Sequence, residues 1–77
     1  MKTIIMVNPE EYPKLKDTCE KTKEKDSTFE FEFVLGDRIS YLFIYSSTKE
    51  QATSRGCWLK EIIKREFHRT ENFKVMR

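Results

Sequence analysis

The chain has 77 residues, with 15 Lys and Arg against 13 Asp and Glu, and 38% of it is hydrophobic. That length reads as one small domain over residues 1–77, with room for only a modest core. The balance is too apolar for a disordered chain, and a net charge of +2 is too small to call for a nucleic acid by itself. No apolar run approaches the ~20 residues of a membrane-spanning helix, and the N-terminus lacks the pattern of a signal peptide, so the expected location is the cytoplasm. In a reducing compartment Cys19 and Cys57 read as two half-buried thiols rather than a disulfide. With His68 they supply too few ligands for a zinc site, so neither metal nor cofactor is expected.

"KTIIMV" (2–7) is rich in β-branched residues and reads as a first strand. "NPEE" follows it. Asn8 suits a helix cap, Pro9 the first helical position, and Glu11 completes a capping-box spacing. Because Pro13 restricts the residue before it, regular helix is expected from about Pro13 to Lys25, with Tyr12, Leu15, Cys19 and Thr22 as its buried stripe. The surrounding lysines read as a solvated face.

"FEFEFVLGDRISYLFIY" (29–45) reads as a hairpin. Gly36-Asp37 suits a two-residue type II′ turn. That turn pairs Phe33 with Ser40, Phe31 with Leu42 and Phe29 with Ile44. Phe29, Phe31, Phe33, Leu42 and Ile44 then form the core side, while Ile39, Tyr41, Phe43 and Tyr45, with Val34, Glu30 and Glu32, form the other. "SSTKEQATSRG" (46–56) reads either as a loop or as the first turns of a long helix capped by Ser47 or Thr48. The long helix is favoured, because Ala52 and Gly56 extend the stripe of Leu59, Ile62, Ile63 and Phe67. "ENFKVM" (71–76) alternates and reads as a short last strand.

The order β-α-β-β-α-β is that of a ferredoxin-like α+β fold, a four-stranded antiparallel sheet with both helices on one face. The other sheet face is then open. On this reading it displays Ile39, Tyr41, Phe43 and Tyr45, with Ile5 and Val7 from the first strand. An apolar patch of that size marks an interaction site. Three occupants fit it: a second copy of the chain, a different protein, or nucleic-acid bases.

"RISYLFIYS" (38–46) and "IIMVN" (4–8) resemble the strand-three and strand-one motifs of RNA-recognition-motif domains, in alternating Tyr41 with Phe43 and in ending on Asn8. The resemblance implies base stacking on those aromatics. The chain departs from the pattern where Leu42 replaces a small residue and Ile5 replaces an aromatic, and Glu30 and Glu32 would repel phosphates.

Residues 55–77 carry seven basic and three acidic side chains. Arg55, Lys60, Lys64, Arg65 and Arg69, followed by Lys74 and Arg77, suit an RNA or an acidic partner, although Glu61 and Glu66 interrupt them; a solvated helix back is the plainer reading. Catalysis is not expected. His68 stands alone among arginines, Cys57 has no histidine to activate it and reads as buried packing, and two glycines make no phosphate loop. Trp58 reads as core or core rim. The length and the Lys- and Glu-rich, Gly-poor composition are similar to those of small bacteriophage accessory proteins. That resemblance implies a non-enzymatic regulator or inhibitor occupying a surface of a host defence or toxin protein. The partner is then a protein, with a homodimer or RNA as the other expectations.

Overall fold

Side chains on a strand alternate between faces, and β1 (Lys2–Val7) does so without exception: Thr3, Ile5 and Val7 are buried, and Lys2, Ile4 and Met6 are half-buried. The computed structural model describes residues 1–77. After β1, a 3₁₀ turn (Pro9–Glu11) leads into α1 (Tyr12–Lys25). The backbone N–H of Asn8 donates to Glu11 Oε1 at 2.9 Å, which is the capping contact that the spacing suggests. Leu15 and Cys19 are the buried residues of α1, with Tyr12 and Thr22 half-buried beside them.

β2 (Glu30–Val34) and β3 (Ser40–Tyr45) are antiparallel, in a register of Phe33 with Leu42, Phe31 with Ile44 and Val34 with Tyr41. This corrects the expected register by two residues. The type II′ turn needs a glycine with positive φ, and no glycine here has one. Residues 35–39 instead form a longer connection. Gly36 is needed there for close approach, since a Cβ on it would lie 2.4 Å from the Ile39 carbonyl oxygen. A shift of two residues leaves every side chain on its expected face. Phe29, Leu42 and Ile44 are buried, while Phe31 and Phe33 are only half-buried because β2 is an edge strand.

α2 (Lys49–Phe67) is the long version of the second helix. Thr48 Oγ1 accepts from the Gln51 backbone N–H at 3.1 Å, one residue along from the Ser47–Glu50 spacing. Ala52, Gly56, Leu59, Ile62 and Ile63 are its buried stripe. His68 closes the helix in the left-handed region at φ 55°, and the short β4 (Lys74–Met76) follows.

The sheet order is β2-β3-β1-β4, antiparallel throughout. The fold is α+β and compatible with a ferredoxin-like arrangement. One cluster joins Ile5 and Val7 of β1, Leu42 and Ile44 of β3, Leu15 and Cys19 of α1, and Leu59, Ile62 and Ile63 of α2. Both helices therefore pack on the same face of the sheet. The Thr3 hydroxyl, buried with them, donates to the Ala52 carbonyl at 2.7 Å and ties β1 to α2. No helix is long and apolar enough to cross a membrane.

Two expectations about burial change. Ile5 and Val7 lie in the core at 1% and 0% exposure rather than on the open face. Cys57 is exposed on α2 rather than buried, whereas burial, followed by the neighbouring Glu20, pushes the Cys19 thiol up to about 12. Trp58 is half-buried and meets Phe29 edge-on, with ring centroids 5.8 Å apart.

Gly56 carries a specific test. Its backbone lies under the Phe73 ring, and a Cβ there would come within 2.3 Å of ring carbon Cδ2. In a free helix Gly→Ala gains ~1 kcal/mol. Here the Phe73 ring must move, so Gly56→Ala should lower stability by about 1–3 kcal/mol in urea unfolding. A stabilised variant would show that Phe73 does not rest on this helix.

Candidate functional site

The face of the sheet turned away from both helices is built by outward positions of all four strands. The ladders set Ile4 beside Phe43 and Met6 beside Tyr41, with Lys74 beyond Ile4 and Met76 beyond Lys2 on β4. On the far side of β3, Glu32 stands beside Phe43, Val34 beside Tyr41 and Glu30 beside Tyr45. Tyr41 and Tyr45 are exposed, Phe43 is half-buried, and Val34 and Met76 are exposed. Ile4, Met6, Tyr41, Phe43, Lys74 and Met76, completed by Glu71 and Asn72, line a shallow open groove of about 460 Å³.

Tyr41, Phe43 and Tyr45 thus share one face of β3. Ile39 lies just before the strand, exposed at the end of the hairpin connection. The residues that sequence reasoning missed are Ile4, Met6 and Met76. β1 is apolar on both sides, so its composition does not reveal its phase. The one usable signal was Lys2, which shares a face with Ile4 and Met6. With Ile5 in the core, the strand-one half of the RNA-recognition resemblance no longer falls on the open surface.

Local polar contacts order this face. Tyr45 Oη donates to Glu32 Oε1 at 2.7 Å, and Lys2 Nζ lies 5.1 Å from the Phe43 ring centroid. Glu30 is drawn toward α1 by Lys23 at 3.0 Å. Lys74 has no ion-pair partner within the chain.

The basic residues of the C-terminal third are scattered rather than gathered. Arg55 is largely buried; it donates to the Tyr45 carbonyl at 3.0 Å and covers the Phe29 ring at 5.0 Å. It also approaches Asp26 at 3.6 Å. The Asp26 carboxyl is held below its ordinary range, first by hydrogen bonds from Thr28 and then by Arg55. Arg69 is just as engaged. Its Nε and Nη2 donate to both carboxylate oxygens of Glu11, at 2.9 and 2.6 Å, and Nη2 also reaches the Met6 carbonyl at 3.2 Å. Glu71 pairs with Nη1. The hydrogen bonds that Arg69 donates to Glu11 come first in raising its pKa. Glu11 is only 3% exposed, so this is a nearly buried bidentate pair. Lys60 donates to Asn72 Oδ1 at 3.3 Å, leaving Lys64 and Arg65 as the exposed, unpaired cations of the five.

His68 is exposed and caps a helix, and no three of the His, Cys, Asp and Glu residues cluster as metal ligands would. Comparison with family models, with curated proteins and with solved structures yields no match.

The Tyr45–Glu32 contact is directly measurable. A carboxylate accepting from the phenol favours its neutral form, and Tyr45 is accordingly raised above the ordinary value of 10.0. Glu32→Gln removes the charge and should bring Tyr45 ionisation back down in an NMR or ultraviolet pH titration. An unchanged midpoint would mean that the hydrogen bond is not kept in solution.

Proposed function

We propose that this chain is a non-enzymatic, protein-binding module of ferredoxin-like fold that acts by occupying a surface, and that the open face of its sheet is the contact. The observation that carries this reading is the apolar strip of Ile4, Met6, Tyr41, Phe43 and Met76 on the one sheet face that neither helix covers. Water gains little from such a strip, and a partner that removes it from water is rewarded in proportion to its area. A regulator or inhibitor in the manner of bacteriophage accessory proteins, working in the host cytoplasm, is the biological setting that suits this size and mode of action. The dispersal of Arg55 and Arg69 into internal contacts argues for protein over RNA, because phosphate binding needs free cations along the track of the backbone.

Salt separates the two classes of partner. A single-stranded oligonucleotide, added at roughly 50 mM salt, should leave the amide signals of β1 and β3 unmoved. Shifts at Tyr41, Phe43 and Tyr45 that fade by roughly 200 mM salt would overturn this reading and make the face a base-stacking platform.

A further inference from the structure

We propose that the occupant of the open face is a second copy of this chain, related by a two-fold axis that lies in the interface and runs parallel to the strands. This rests on the reading of the open face as a protein contact and names the partner.

The ladders supply the map. Read from the β2 edge to the β4 edge, one row of outward residues is Glu32–Phe43–Ile4–Lys74. The next is Glu30–Tyr45–Lys2–Met76, and a third is Val34–Tyr41–Met6. The face is acidic along β2, apolar along its middle and basic toward β4.

An axis parallel to the strands, passing between β3 and β1, keeps each row at its own height and reverses its order. Glu32 of one copy then meets Lys74 of the other, Phe43 meets Ile4, Tyr45 meets Lys2, and Tyr41 meets Met6. Every contact is repeated by the symmetry, as an isologous interface requires. An axis running across the strands instead sets Glu32 on Glu32 and Lys74 on Lys74, so the charges choose between the two arrangements. Strands of the two sheets then run nearly aligned, offset by the usual twist of about 30°. Lys74 has no ion pair in its own chain, and Glu32 accepts only from Tyr45. Within one chain these two residues are three strand spacings apart, about 14 Å, so they do not pair with each other. Two such faces together bury on the order of 1,000 Å², the lower end for a specific interface, which suits a weak, reversible dimer.

The test is a charge exchange read by sedimentation equilibrium from about 1 to 500 μM, a range that covers dissociation constants from micromolar to hundreds of micromolar. Wild type should self-associate to twice the monomer mass. Glu32→Lys and Lys74→Glu each place like charges at both symmetric contacts, and each alone should weaken self-association roughly tenfold or more. Mixed in equal amounts, the two variants should form a heterodimer, and Glu32→Lys/Lys74→Glu in one chain should restore the homodimer. Both positions are exposed, and circular dichroism checks that each variant keeps the fold. A wild type that remains monomeric, single variants that associate like wild type, or a mixture that stays monomeric would each overturn the dimer. A monomer whose β3 signals ignore oligonucleotides overturns only the identity of the partner. One whose signals respond to oligonucleotides overturns the protein-contact reading as well.

Discussion

Adjacent side chains on a strand point to opposite faces of the sheet, so Ile4 and Ile5 cannot share one environment. The structure resolves this by placing Thr3, Ile5 and Val7 under the helices and Lys2, Ile4 and Met6 on the opposite side. β1 is flanked by β3 and β4, so its phase is imposed on both neighbours through the ladders. Leu42 and Ile44 turn inward because they share a face with Ile5 and Thr3, and Tyr41, Phe43 and Tyr45 turn outward for the same reason. Two helices supply enough apolar surface to close one face of a four-stranded sheet. The apolar residues on the second face have nothing in this chain to cover them, and the functional reading follows from that shortage.

The charged residues divide along the same line. Arg55 and Arg69 serve the interior: one roofs Phe29, and the other joins the start of α1, the end of β1 and the segment before β4. Glu11 is buried against the Arg69 guanidinium, and removing Arg69 would leave that carboxylate without its cation, which costs far more than the intact pair contributes. These arginines are structural because of what surrounds them. Lys74, Lys64, Arg65 and Glu32 stay at the surface, where charge steers and orients a partner more than it adds to affinity.

Much of this was legible in the sequence, and what was missed has physical causes. Element order followed from local periodicity and capping: Asn8 to Glu11, the Phe-Glu alternation of β2, and the four-residue spacing of Ala52 and Gly56 are short-range signals. The faces of β2 and β3 were readable because polar residues mark one side of β2. The phase of β1 was not, since "IIMV" is apolar on both sides and only a single lysine marks the outer one. The turn was misjudged because Gly36 suits both a left-handed turn and a close approach to a carbonyl, and only the chain path distinguishes them. The internal roles of Arg55 and Arg69 depend on residues as distant in sequence as Glu11, beyond the reach of any local pattern. The exposure of Cys57 beside buried Gly56 is set by where α2 meets the sheet.

One face of the sheet is closed core and the other is left uncovered by the helices, and the boundary runs between two neighbouring isoleucines, Ile4 and Ile5. Urea unfolding of Ile4→Ser and Ile5→Ser, at low micromolar concentration where a second copy contributes least, tests it most directly. The account predicts that Ile5→Ser loses about 3 kcal/mol or more, through a cavity and a buried hydroxyl, while Ile4→Ser loses less than about 1 kcal/mol. Equal losses, or a larger one at Ile4, would contradict it and place the core on the side that carries Tyr41 and Phe43.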